Sequence, residues 1–595
     1  MDGSPNGGAW VVNPWVDELR RSYRNSKLGN SGNRGFDSDF MKSTYVPTVL
    51  DTELTPRVTS GGVRVALICG NPGDGKTAYL ETLERQLIGS GARSLVRRAD
   101  AWMVSWAGRE VMAVLDASES HLGEEPDARM LAALHWLEGD SGRTLLVAIN
   151  DGRLQSFAER FLGEWPWLEG ALPGSTVKLP GDILLIDLKH RSLVGPVHRF
   201  RREETHFLDQ IMQELSRESH WQVCASCAGA AHCPIRRGAE ALRDQDTRHR
   251  ISTLFLISHL RRVRRVTIRD ARSALAWTVT GDRGCHDIHR LYDGATREPD
   301  VRAHEYVMNL FTVPPEGDDT SEQLHQLDPA DVVAPWLDRE FRPDWEETPL
   351  VPDASGADAP TESQPIDGQS PDLHAQYQYF RRHRFFSLGK DSPSEGETGV
   401  ASDHATDEPN VLDRASDWHR LLPYQHLEQY IDTLTAEEAS LATRNTLLAG
   451  LSRATGVLPA MAAGRVALAV TRDTTVNLVV MKLFDHAGFN VSTTHQNAAL
   501  PGMGTQDLVL SHPASGARVR LDLDLFELLM RLGGGESETA AEHGVIREEL
   551  TAFIQRLFTS QTDRLVLWAD DLGRVSVHAD SGRLHFRQEG SHGAI

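Results

Sequence analysis

Gly70-Asn71-Pro72-Gly73-Asp74-Gly75-Lys76-Thr77 is the stretch from which the rest of the chain is read. It fits G-x-x-x-x-G-K-[ST] at every fixed position, and its flanks fit as well. The apolar run 63–69 leads in; residues 77–88 lead out with Leu80, Leu83 and Leu87 at helical spacing before Gly89. Glycines let the backbone wrap phosphates and turn N–H groups toward them, and a helix start adds the positive end of its dipole. Lys76 is suited to reach β- and γ-phosphates, and the Thr77 hydroxyl to ligate magnesium. Only seven of the 62 basic residues are lysines (Lys27, Lys42, Lys76, Lys178, Lys189, Lys390, Lys482). Lysine at this position matches a need for a flexible point charge, which a planar guanidinium does not meet.

Outward from the octet, short apolar runs at 63–69, 111–115, 145–149 and 183–188 alternate with helical patterns. The alternation predicts an α/β core at 61–190 with a parallel sheet covered by helices. The run 111–115 ends in Asp116, the choice for the acid that holds magnesium, and Glu119 is a candidate to orient a water. Ala117 stands where a glutamate usually follows that aspartate, so binding is read more firmly than hydrolysis. The run 145–149 ends in Asn150 and Asp151. Asn150 could position water beside a γ-phosphate; in a competing register Asp151 is the magnesium-linked acid. Both tips also suit plain turns. Thr267-Ile268-Arg269-Asp270 predicts a capped helix start. A cation in a first turn opposes the helix dipole, which makes Arg269, and next Arg272, candidates for a phosphate contact. A surface arginine paired with a nearby acid is the alternative.

At about 150 residues per domain, 595 residues suggest three or four domains. With 40% hydrophobic and 25% charged residues, collagen, fibre and wholesale disorder are excluded. The expected divisions are an N-terminal extension at 1–60, the core at 61–190, and a helical lid at 191–344. An acidic flexible linker at 345–413 and a C-terminal α+β domain at 414–595 follow. Residues 346–372 contain seven acids and no Lys or Arg, too little apolar surface to fold alone. A net charge of −22 argues against a generally nucleic-acid-binding surface. Locally, 189–272 has 17 basic residues against nine acidic ones, centred on Arg261, Arg262, Arg264 and Arg265. Such a face suits DNA, and it equally suits pairing with the linker or a neighbouring subunit.

Five cysteines do not make a disulfide framework, and three of them crowd into ten residues. Cys224 and Cys227 form a Cys-x2-Cys pair that can share a zinc ion, with Cys233 and either His220 or His232 completing a tetrahedral set. Small buried thiols in a helical turn are the alternative. Residues 1–8 carry no signal-peptide pattern, and no apolar run approaches the ~20 residues of a membrane helix. A cytoplasmic protein is expected, without membrane contact.

The octet, Asp116 and Asn150 in this order, followed by a helical segment with Arg269, resemble the AAA+ branch of P-loop NTPases, including STAND-like members, over about 60–295. The octet is then the Walker A motif, Asp116 the Walker B acid, Asn150 sensor 1 and Arg269 sensor 2. At finer grain the octet, Asp-Ala-Ser-Glu at 116–119, Ala-Ile-Asn-Asp-Gly at 148–152, Cys-x2-Cys-x5-Cys-Pro at 224–234 and Thr-Ile-Arg-Asp-Ala-Arg at 267–272 resemble a restriction-system ATPase. That family is the DptF-type component of bacterial phosphorothioation-dependent DNA restriction systems. The resemblance implies a P-loop sheet with a lid, ATP and Mg2+ as ligands, and defence-system subunits as partners in a homo-oligomer or hetero-complex. It implies an ATP-driven switch; a non-hydrolysing nucleotide-binding scaffold that recruits partners is the alternative. No nuclease motif is evident in the C-terminal domain, which has few lysines to serve one.

Overall fold

Every residue of β1 (Val65–Cys69) is buried, as expected of an apolar strand inside a sheet covered on both faces. Its side chains alternate between two cores. Ala66 and Ile68 join Leu80, Leu83 and Leu87 of the Lys76–Gly89 helix on one face. Val65, Leu67 and Cys69 join Met130 and Leu134 of the Pro126–Glu138 helix and Leu154 and Phe157 of the Asp151–Phe161 helix on the other. The result is an α/β layering with a six-stranded sheet in the order β2-β3-β4-β5-β1-β6. The other strands are β2 (Arg93–Arg97), β3 (Ala101–Trp106), β4 (Arg109–Val114), β5 (Arg143–Ile149) and β6 (Ile183–Asp187).

The parallel sheet expected from the sequence is corrected to a mixed one. The pairs β1–β5, β1–β6 and β4–β5 are parallel, but β2–β3 and β3–β4 are antiparallel. For β3–β4 the cause is local: Trp106 pairs with Arg109 across Ala107 and Gly108, both at positive φ (49° and 78°). A two-residue turn of that kind can join only antiparallel strands. The arginine-bearing β2, exposed along most of its length, forms a sheet edge.

The computed structural model describes residues 9–28, 39–118, 126–195, 206–262, 265–292, 301–341, 371–389, 418–436, 438–462, 464–473, 475, 478–495, 499–501, 506–536, 545–559, 565–569, 573–580 and 583–588. Glu119 and Arg264, and the stretches 345–370 and 390–413 of the expected linker, lie outside them. Among these residues no helix is long and apolar enough to cross a membrane.

Two compact units are present. The first comprises 1–259, 263–423 and 498–504; the second comprises 260–262, 424–497 and 505–595. In the first unit, Leu50, Leu54 and Val58 of the N-terminal segment pack into the sheet core beside Tyr79. After β6 the described chain of this unit is helical up to 341. One expectation about the linker is corrected here. Residues Pro371–Ser387 form a helix with Arg381, Arg382, Phe385 and Phe386 buried. The acidic composition on either side had masked an amphipathic block dense enough to fold onto a core.

The second unit is α+β. It contains a three-stranded sheet β11-β10-β9 and a five-stranded sheet β14-β13-β12-β8-β7. These strands are β7 (Val466–Asp473), β8 (Leu478–Phe484), β9 (Asn490–His495), β10 (Gln506–His512), β11 (Ala517–Leu521), β12 (Leu565–Ala569), β13 (Gly573–Asp580) and β14 (Arg583–Gln588). Helices Leu441–Ala454 and Leu523–Gly534 cross closely at glycines. A Cβ on Gly450 would stand 1.9 Å from the Leu529 carbonyl oxygen, and one on Gly533 2.1 Å from that of Thr446.

Candidate functional site

The 70–77 loop leaves the tip of β1 and enters the Lys76–Gly89 helix through Gly75, whose φ of +84° would strain any other residue. A Cβ on Gly73 would meet the Arg269 Cβ at 2.9 Å, so only glycine admits that arginine so close. Arg269 also donates its backbone N–H to the Gly73 carbonyl (3.2 Å). The loop is braced from below by Asp74, buried with its carboxylate accepting from Asn71 N (2.6 Å) and Arg265 Nη2 (2.8 Å). Arg191 donates to the Asp74 carbonyl (2.8 Å). Burial pushes the Asp74 carboxyl up despite the pull of Arg265 and Arg191. Burial likewise lowers Arg191 to about 10, against the pull of Asp74.

Lys76 lies over the loop, donating to the carbonyls of Gly70 (2.6 Å) and Asn71 (3.0 Å) and to Asn150 Oδ1 (3.2 Å). Desolvation lowers its pKa, with Asp74 and Asp116 opposing. Because β5 lies between β1 and β4, the tip carrying Asn150 stands between the tips carrying Lys76 and Asp116. The Thr77 hydroxyl donates to the Leu115 carbonyl (3.1 Å), which ties the octet to the residue before Asp116. Asp116 accepts from Ser118 N (2.7 Å), and Ser118 Oγ accepts from Asn150 N (2.8 Å).

Lys76, Thr77, Asp116 and Asn150 line one cavity of about 420 Å³, together with Arg269, Arg272, Arg129 and Tyr45. That volume suits a ligand of nucleotide size. Its glycine-framed loop, primary amine, hydroxyl and carboxylate form a donor set for a phosphate and a hard cation. The structure places the two candidate acids, Asp116 and Asp151, differently. Asp116 shares the cavity with Thr77, whereas Asp151 pairs with Lys189 Nζ at 2.9 Å. Thr267 and Asp270 form the expected capping box, which fixes Arg269 in the first turn of the Ile268–Thr280 helix. Arg272 is buried, pushed down to about 10 by desolvation, and donates to Thr44 Oγ1 (3.0 Å) and the Thr44 carbonyl.

Sequence reasoning missed Arg129, Arg191 and Tyr45, and read Arg265 only as part of the basic face. Arg129 donates to the Asp116 carbonyl (3.0 Å) and pairs with Asp100 (3.1 Å). A cation soon after Asp116 was the one local signal for it. Part of the basic stretch 189–272 is turned inward among the described residues. Arg191, Arg248, Arg250 and Arg272 are buried, and Arg265 pairs with Asp74. In the second unit Arg261 pairs with Asp524 (3.0 Å) and Arg262 with Asp507 (2.8 Å).

Of the cysteine cluster, Cys224 and Cys227 flank a short turn and Cys233 precedes the Pro234–Arg243 helix. Asn13, buried, donates its Nδ2 to Cys224 Sγ (3.3 Å) and its backbone N to Cys285 Sγ (3.4 Å). Cys227 Sγ lies 3.6 Å from His289 Nε2. The histidines singled out by spacing make other contacts: His220 stacks on Trp15 (3.7 Å between centroids), and the His232 carbonyl accepts from Tyr292 (3.1 Å). Among the described residues no three His, Cys, Asp or Glu side chains stand grouped as a metal site. In comparison with known proteins, no family model, curated protein or solved structure matches the chain.

Proposed function

We propose that the chain binds ATP with Mg2+ in this cavity and hydrolyses it, as an AAA+-like switch subunit of a bacterial DNA-restriction or phage-defence assembly. One observation carries the reading: Lys76, Thr77, Asp116 and Asn150, from three adjacent strand tips, line a single cavity roofed by Arg269. Lys76 and the loop amides would hold the β- and γ-phosphates, Thr77 and Asp116 the metal, and Asn150 a water. The metal neutralises phosphate charge when bound. The defence assembly rests on the resemblance of the short motifs at 116–119, 148–152, 224–234 and 267–272. ATP turnover by the purified full chain, with and without DNA, is the direct test. Tight ATP binding without turnover would instead support the scaffold reading, which Ala117 favours.

Arg269 supplies the link from nucleotide to partner. A γ-phosphate contact by this residue would draw the Ile268–Thr280 helix toward the loop in the ATP state and relax it with ADP. A tenfold change in partner or DNA affinity needs only ~1.4 kcal/mol of differential binding, within reach of one charge-assisted contact. Arg269→Ala is expected to bind nucleotide yet lose the ATP–ADP difference in affinity for DNA or for a partner subunit, measured at fixed salt. A difference that survives the substitution would remove Arg269 from the mechanism.

A further inference from the structure

The fold brings a fourth cysteine, distant in sequence, to the three that spacing singles out. Cys285 opens the Cys285–Tyr292 helix, more than fifty residues after Cys233, yet it shares the single residue Asn13 with Cys224. Cys227 faces the same helix through His289. Cys285 and Cys224 both lie close enough to the Cys233 thiol to interact with it through space. Cys285 in turn lies close enough to Cys224 and Cys227 to interact with both through space. All four are free thiols.

The donors around them point to thiolates. Asn13 is buried and aims two N–H groups at sulfur, and Cys233 receives the backbone N–H groups of Ile235 and Arg236. Amide N–H groups directed at sulfur stabilise the deprotonated ligand in metal–thiolate sites and are weakly used by a neutral thiol. We propose that Cys224, Cys227, Cys233 and Cys285 form a four-thiolate site for a structural zinc ion, which fastens the N-terminal segment at Asn13 to the helices beginning at Pro234 and Cys285. Soft thiolates in a set of four select zinc among common divalent ions. Zinc binding displaces the thiol protons to solvent and draws the sulfurs into a closed set. His289 stands beside the site as a neighbour of Cys227 and is not a ligand.

The test uses the full chain, purified without a histidine tag under reducing conditions, with metal analysis and iodoacetamide mapping by mass spectrometry. The expected result is about one zinc per chain. Cys224, Cys227, Cys233 and Cys285 should be protected together and become labelled together once a chelator removes the metal. In cobalt-loaded protein, Cys285→Ser should lower thiolate-to-metal absorption by about a quarter or abolish binding, and His220→Ala, His232→Ala and His289→Ala should each keep the metal. A chain free of metal would overturn the proposal, as would disulfides among these cysteines or the visible absorption of an iron–sulfur cluster. So would labelling of Cys285 while zinc remains bound. Because the labelling runs on unaltered protein, misfolding of a serine variant cannot obscure the outcome.

Discussion

Lys76→Ala is expected to weaken ATP binding by ~100- to 10,000-fold, the loss of two charge-assisted contacts of about 1.5–3 kcal/mol each. The loop amides and the metal would remain to meet the phosphates, but the β/γ charge would lose the ammonium that the protein itself supplies. The substitution also removes the ammonium from the Gly70 and Asn71 carbonyls and from Asn150, so part of the loss would come from a looser loop. Lys76→Arg separates the two contributions. It retains the charge and can still hold carbonyls, but its planar fork fits poorly where a slender amine threads between backbone atoms, so it should recover less than a tenth of the affinity. Equilibrium binding of ATP with magnesium, alongside circular dichroism to verify folding, gives the answer. Unchanged affinity in a folded Lys76→Ala protein would remove the octet from the nucleotide site altogether.

The octet was legible because all its parts are contiguous: glycines, lysine and threonine act within one turn of chain, and the flanking strand and helix announce themselves by period. Asp116 and Asn150 were legible because each ends an apolar strand, where a polar side chain must face outward. The braces were not legible. Asp74 is held by Arg265 and touched by Arg191 from far along the chain, and no local pattern distinguishes those arginines from others in a basic stretch. A count of charge also says nothing of burial, and Arg191, Arg248, Arg250 and Arg272 of the same stretch are buried. The antiparallel half of the sheet escaped because β2 is arginine-rich and exposed, so a search for apolar runs passes over it. Cys285 escaped for the opposite reason: spacing rules look within a short window, and His220 and His232 were nearer in sequence.

Arg382 tests the most consequential of the misread segments, the Pro371–Ser387 helix inside what composition marks as linker. Its guanidinium grips Asp328, with Nε 3.1 Å from each carboxylate oxygen, and both side chains are almost fully buried. Asp328 also accepts from Ala330 N (2.9 Å), and Arg382 lies over the Phe311 ring at 5.8 Å. Arg382→Ala leaves a carboxylate buried without its counter-charge, a loss of about 3–5 kcal/mol. Burying a matched apolar pair instead removes the desolvation cost along with the attraction. Asp328→Leu combined with Arg382→Met should therefore be far milder than Arg382→Ala alone, by ~2 kcal/mol or more. A chain of two units need not unfold in one transition, so the measurement is amide hydrogen exchange along 371–387 and along the Asp319–His325 helix that precedes Asp328. Fast exchange in both segments for the single variant, and protection restored in the double variant, would follow if the helix is docked through this pair. Exchange at the rate of unstructured chain in the unaltered protein would return 371–387 to the linker.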